Sequence, residues 1–259
     1  MTDHAAFKVV MLCRDDVTSR IMYHGLLADW NIIQVIIEDK PSTRMMLQRR
    51  IQRLGIWTVF GQILFMLYTR LIAVRMAQGA LKALLRDEKL NDQPFPPERV
   101  TRVPSANDPR VIQLLRELQP DAVVVNGTRI LSAAVLASIP APFINTHVGI
   151  TPRYRGVHGG YWAMACHDAE HCGVTVHVVD EGIDTGGVLY QGRIDVGPED
   201  SFVTYPLRQI ARALPLMSAA LRDVQNGGLR TVPGVGPSGI WSHPTLWQYV
   251  WHRLSQGVK

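Results

Sequence analysis

Cysteine is scarce in this chain. There are three in 259 residues, Cys13, Cys166 and Cys172, and no C-x-x-C pair. That set offers no disulfide framework and points to free thiols in a reducing, cytoplasmic compartment. Charge is also modest, 19% against 47% hydrophobic residues, which fits a soluble globule with a sizeable core. No internal repeat or low-complexity tract is present. The N-terminus, MTDHAAFKVV, is polar and runs into a short strand, so no secretory signal is expected. The first apolar run ends in Cys13-Arg14-Asp15-Asp16 without G-x-G-x-x-G, which argues against a dinucleotide on that turn. The apolar stretch LGIWTVFGQILFMLYT is sixteen residues long, between Arg53 and Arg70. A spanning helix needs about 20 such residues. This run also contains Gly55, Gly61 and Gln62, so it reads as a buried or subunit-packing helix, ahead of a membrane-surface segment and of a membrane span.

What is present reads as alternating strand and helix. Strands are expected at 7–13, 32–38, 121–127, 143–150, 173–180 and 188–196, and helices at 17–30, 108–118, 132–139, 161–168 and 202–226. Residues 43–90 are helical in character, and PFPPERV (94–100) is a breaker. Such alternation implies an α/β fold, a mostly parallel sheet with helices on both faces, whose site lies at the carboxyl ends of the strands. The length fits one large catalytic domain, 1–227, carrying a helical insert at about 43–90, followed by a short appendage at 228–259. The net charge of +5, much of it from 44–86, suits anionic substrates without demonstrating nucleic-acid binding. Trp241, Trp247 and Trp251 in the appendage read as aromatics that cap a core or a subunit contact.

One constellation carries chemistry. Asn145 and His147 stand two apart on FINTHVGI, so both project from the same face of a strand. Asp184 follows in a glycine-rich turn after the next strand, GVTVHVVD. A carboxamide donor, an imidazole and a carboxylate suit acyl transfer: the first stabilises an oxyanion, the second moves a proton and the third tunes it. Imidazole and carboxylate both remain open as first proton acceptor. His177 lies on the GVTVH strand as a supporting residue. His167-Asp-Ala-Glu170-His171 fits H-x-x-E-H, but zinc chemistry needs both histidines on one continuing helix, and Cys172-Gly173 with a β-branched strand follows at once. No metal site is expected.

N-x-H, then P-x-x-R-G, then G-V-T-V-H, then D-x-G-I-D-T-G-G resembles the folate-dependent formyltransferase family, most densely over 121–196. The resemblance implies a Rossmann-like formyltransferase fold, N10-formyltetrahydrofolate as co-substrate, catalysis by Asn145, His147 and Asp184, and a homodimer. It implies that NGTRIL (126–131) meets the pteridine ring, through Arg129, Ile130 and Leu131. Val179, Asp180, Gly182 and Ile183 would form the opposite wall. The loop TPRYRGVHGG is then expected to close over the acceptor, with Thr151, Arg153, Arg155, Gly156 and His158 in contact.

Within the family, the acidic CRDD turn departs from the glycine-bearing, phosphate-binding turn of the glycinamide ribonucleotide enzymes. The 32 residues after Gly227 are too few for the C-terminal barrel of the methionyl-tRNA enzymes. ITPRYRGVHGGYWA, the helical insert and W-x-H-P-x-L-W resemble the sugar N-formyltransferases, closest to those formylating GDP-perosamine for O-antigen and lipopolysaccharide biosynthesis. A nucleotide-linked 4-amino-4,6-dideoxy sugar is therefore the expected acceptor, with no nucleic acid. The methionyl-tRNA and glycinamide ribonucleotide activities are the alternatives, followed by a non-catalytic folate- or nucleotide-binding paralogue and a zinc hydrolase.

Overall fold

The computed structural model describes residues 7–40 and 43–259. The polar start read above, residues 1–6, lies outside the described residues. Runs of Val, Ile and Leu build the sheet: β1 (Lys8–Cys13), β2 (Asn31–Glu38), β3 (Val100–Val103), β4 (Ala122–Asn126), β5 (Phe143–His147), β7 (Gly173–Val178) and β8 (Val188–Arg193). A two-residue pair, β6 (Arg155–Gly156) and β9 (Ile240–Trp241), forms a second small sheet. The helices are α1 (Val17–Leu26), α2 (Thr43–Leu54), α3 (Ile56–Tyr68), α4 (Val74–Met76), α5 (Gln78–Asp87), α6 (Pro109–Leu118), α7 (Ala133–Leu136), α8 (Gly159–Ala165), α9 (Tyr205–Gln225) and α10 (Leu246–Gln256).

The seven-stranded order is β3-β2-β1-β4-β5-β7-β8. The first five are mutually parallel, and β7 runs antiparallel to both β5 and β8. The chain winds outward from β1 to β2 and β3, then returns to β4 and β5 on the other side. That reversal opens a crevice at the carboxyl ends of the central strands. The mostly parallel α/β architecture is the one the alternation implied. β3 was not foreseen, because a four-residue edge strand directly behind three prolines carries little periodicity.

Alternation divides the core in two. Val9, Met11 and Cys13 of β1 and Val124 of β4 join one buried cluster with α1 and α9. Val10, Leu12, Val123 and Val125 join another with α6. A third cluster is aromatic and gathers the insert, α8 and the tail: Phe65, Tyr154, Tyr161, Phe202, Tyr205 and Tyr249 are all buried in it. The 228–259 segment thus packs on the insert: α10 lies against α3, where Trp247 covers Gly61 so closely that a Cβ there would overlap the indole. Local signals set the helix starts. Asp16 accepts the Ser19 N–H at 2.9 Å, and Thr245 and Gln248 form a capping box.

The apolar insert is only partly buried by the domain. α3 continues through a π turn (Thr69–Ala73) into α4, giving a 21-residue helix Ile56–Met76. Only 28% of its apolar window is buried. Val59, Gln62 and Phe65 face the protein, whereas Trp57, Phe60, Leu67 and Leu71 face outward with no protein layer over them. It is long and apolar enough to cross a membrane, and among the described residues it is one such helix.

Candidate active site

The carboxyl ends of β4 and β5, with His177 of β7 and the loop that follows β7, line a cavity of about 840 Å³. That volume suits a ligand of cofactor size. Asn145 and His147 line it from β5, as the two-residue spacing requires, and Asp184 lines it from the β7–β8 loop.

His147 is buried and gripped at both nitrogens. Its Nε2 lies 2.7 Å from the Tyr154 carbonyl, which fixes a proton on Nε2. Nδ1 lies 3.3 Å from Asp184 Oδ2. Burial pushes the His147 imidazole below its usual pKa, and Asp184 and the Tyr154 carbonyl offset this only in part. The imidazole is therefore neutral at pH 7, with the Nδ1 lone pair facing Asp184. Burial alone would raise the Asp184 carboxyl, but the neighbouring His147 and His177 imidazoles and the Gly156 N–H outweigh it and bring it down to about 2. The Gly156 amide donates to Asp184 Oδ2 at 3.0 Å. Asp184 itself adopts a left-handed backbone, φ +50°, which is costly for a non-glycine residue and is held here by that ring of partners.

Asn145 is oriented by His177. The His177 Nδ1 lies 2.9 Å from the Val178 carbonyl, so Nδ1 carries the proton and Nε2 of the neutral ring is an acceptor. The Asn145 carboxamide nitrogen donates one hydrogen to that Nε2 at 3.0 Å. Its second N–H is left to the cavity, where a developing oxyanion would need it.

Close backbone approaches hold the site together. Gly149 lets the 151–160 loop fold over His147; a Cβ there would lie 2.8 Å from Nε2 and would overlap the Tyr154 carbonyl. Gly186 passes so near the Val178 carbonyl that a side chain would collide with it.

The seven residues expected around a pteridine all line the cavity: Arg129, Ile130, Leu131, Val179, Asp180, Gly182 and Ile183. The Arg129 side chain is turned to Glu38, with Nε 3.1 Å from Oε1, and to the carbonyls of Asp39 and Pro104. Glu38, fully buried, also accepts the Ala106 N–H at 2.8 Å. This anchor went unnoticed in the sequence; its only signal there is a carboxylate ending an apolar strand.

The acceptor loop is only partly as expected. Gly156 and His158 line the cavity, but Thr151, Arg153 and Arg155 do not. Thr151 is buried, its N–H donating to Thr175 Oγ1. Arg153 pairs with Asp168 at 2.8 Å, and Arg155 donates to the Ile183 carbonyl at 3.2 Å, tying the loop to the Asp184 turn. Each guanidinium found a protein partner in place of a ligand. The wall is completed by residues the sequence reading missed: Arg49, Tyr161, Phe202, Tyr205, Gln209 and His243. His158 Nε2 and His243 Nδ1 lie 2.9 Å apart, and burial lowers these imidazoles to about 3 and about 4.

The H-x-x-E-H segment is a turn. Ala169–His171 is a 3₁₀ turn rather than a continuing helix, and Asp168 already accepts from Arg153, Tyr154 and His171. Asp168, Glu170 and His171 do sit close enough to share an ion, but that cluster is made from a different side chain and geometry than the motif requires.

Comparison with known proteins adds three findings. The formyl transferase family profile matches residues 75–218, 144 of the chain's 259. Methionyl-tRNA formyltransferases are similar in sequence. That of Synechococcus sp. (strain JA-3-3Ab) is 35% identical over 156 residues, covering 58% of this chain and 48% of the relative. That of Syntrophus aciditrophicus is 36% identical over 104 residues, covering 40% and 33%. The chain thus spans half or less of the length of these curated relatives. Among solved structures, glycinamide ribonucleotide transformylase 1 from Symbiobacterium toebii has a TM-score of 0.57 at 17% identity, covering 90% of this chain and 95% of that one. A 4-N formyltransferase from Francisella tularensis has a TM-score of 0.56 at 14% identity, covering 91% and 76%. At these identities the likeness shows a shared fold.

Proposed function

The chain belongs to the formyl transferase family, and on that premise we propose that it moves the formyl group of N10-formyltetrahydrofolate onto the amino group of a nucleotide-linked 4-amino-4,6-dideoxy sugar. The observation that carries the reaction class is the joint presence of Asn145, His147 and Asp184 in one cavity with both expected pteridine walls.

The donor fits the strand-end side of the cavity. The 129–131 segment and the 179–183 turn flank it as facing walls, and Leu131 and Val179 supply apolar contact. The acceptor amine attacks the formyl carbon, a C–N bond forms and the carbonyl oxygen becomes negative. The free N–H of Asn145 stabilises that charge, an effect typically worth about 3 kcal/mol. The amine proton goes to His147 Nδ1, where Asp184 holds the resulting imidazolium. Asp184, low at about 2, is too weak a base to take that proton first. As the bond to N10 breaks, the same proton can return to the departing nitrogen. The intermediate then collapses to the formamide and tetrahydrofolate.

Two features favour a sugar acceptor. Tyr161, Phe202, Tyr205 and the neutral His158–His243 pair make an aromatic wall on which a deoxysugar ring can pack. The exposed Arg49 lines the same cavity and suits a pyrophosphate. GDP-perosamine is the first candidate and dTDP-linked amino sugars the next. The sequence relatives supply a second reading, methionyl-tRNA. Incubation with N10-formyltetrahydrofolate and GDP-, dTDP- and UDP-linked 4-amino sugars, with methionyl-tRNA and glycinamide ribonucleotide in parallel, tests the choice by mass spectrometry. A formyl increment on a nucleotide sugar supports the proposal. An increment on methionyl-tRNA alone replaces it with the second reading.

A further inference from the structure

The outward side of the insert has no role in the site described above. Along helix Ile56–Met76, Trp57, Phe60, Leu67, Leu71 and Val74 recur at helical spacing on the side away from the protein. Trp57 is 76% exposed. On α10, packed beside α3, Trp247, Val250, Trp251 and Leu254 fall at i, i+3, i+4 and i+7, and Trp251 and Leu254 are 67% and 81% exposed. Trp247 lies over Gly61, one helical turn from Trp57, so the two stripes adjoin. An apolar plate of this kind marks an interaction surface.

Charge indicates the partner. Residues 43–90 hold nine basic and two acidic residues, where the whole chain holds 27 and 22, so the remainder of the chain is slightly acidic. Neither the Ile56–Met76 helix nor α10 contains a carboxylate. Arg53, Arg70, Arg75 and Arg253 are exposed, and among the described residues none has a carboxylate partner. A second copy of the chain would bring this uniformly basic fringe against itself, because a two-fold contact uses the same patch twice. An anionic lipid surface complements it. Basic residues beside tryptophan and leucine on an amphipathic face are the composition of helices that lie in the headgroup plane.

We propose that the outer faces of helix Ile56–Met76 and α10 seat the protein on an anionic phospholipid bilayer, with the helices lying along the surface. The inner side of the helix forbids a span while the domain stays folded. Phe65 packs on His158 and Phe202, and Gln62 donates to the His243 carbonyl at 2.8 Å. The docked face therefore backs directly onto the aromatic wall of the cavity. This inference stands on exposure and charge alone and survives even if the acceptor proves different.

Flotation of the full chain with vesicles tests it. Vesicles of equal parts phosphatidylcholine and phosphatidylglycerol should carry the protein up the gradient, and pure phosphatidylcholine should carry about tenfold less or below. High salt should release it. Paired Trp57→Ser and Trp251→Ser substitutions should lower binding about tenfold or more while circular dichroism stays unchanged, and Arg53→Glu with Arg70→Glu should act in the same direction. The proposal is overturned by no flotation with either vesicle, by equal flotation with both, or by light scattering that shows a dimer which the tryptophan pair converts to monomer. Binding that resists alkaline carbonate would instead mean a span and would equally overturn it.

Discussion

His147 directs Nδ1 at Asp184 Oδ2 across 3.3 Å while Nε2 is committed to the Tyr154 carbonyl at 2.7 Å. The ring therefore has one free lone pair, and that lone pair faces a carboxylate. Such a pair is short of one proton, and a substrate amine becoming an amide has one to lose. On the proposed mechanism the imidazole takes the proton first, with the carboxylate as its counter-charge.

His147→Ala should therefore lower kcat by roughly 10²-fold or more, with little change in folate affinity. Steady-state rates together with binding of tetrahydrofolate separate the two effects. Wild-type turnover would remove the imidazole from the reaction.

The pH profile follows from the sign of the shift. Burial lowers the His147 pKa below 6.5, so the neutral, proton-accepting form persists through neutrality and activity falls only as pH drops below that value. Asp184→Asn removes the charge that supports the imidazolium. The acid limb should then move to lower pH while the plateau rate falls. An acid limb that stays in place would mean that another group controls it.

Positioning by His177 has its own signature. His177→Phe takes away the acceptor that orients Asn145, and kcat should fall about tenfold. His177→Gln keeps an oxygen able to accept the Asn145 N–H and should recover most of the rate. Equal losses in both variants would reduce His177 to a packing residue.

Stability should also depend on pH in a defined direction. His158 and His243 are lowered to about 3 and about 4, so both stay neutral in the folded chain at pH values where the unfolded chain protonates them. The stabilisation is present above the unfolded pKa of 6.5 and is lost as pH falls toward those values. Each such histidine contributes a slope of up to about 1.4 kcal/mol per pH unit. Denaturant titrations between pH 7 and pH 5 should show this slope, and His158→Gln should reduce it.

Side-chain periodicity made much of this site legible in the sequence. Asn145 and His147 share a face because a strand alternates. Two of the closest partners of the trio left no trace. They are the carbonyl of Tyr154 and the amide of Gly156, and backbone atoms are the same in every residue. Arg153 and Arg155 misled for the opposite reason. Their type suits an anion, but Asp168 and the Ile183 carbonyl, reached only through the fold, took them first. The acceptor wall was hidden because His243 and Phe202 come from segments far apart in sequence. The insert announced its apolarity but not that half of it faces outward, since helical spacing alone does not say which stripe the domain covers.

The most direct measurement is tetrahydrofolate release under saturating formyl donor and amino-sugar acceptor, compared between the wild-type chain and Asn145→Ala. Release should keep step with formamide formation in the wild type and fall roughly 10²-fold or more in the variant, with donor binding unchanged. Equal rates in the two proteins, or a variant slowed only through loss of donor binding, would contradict the proposed mechanism.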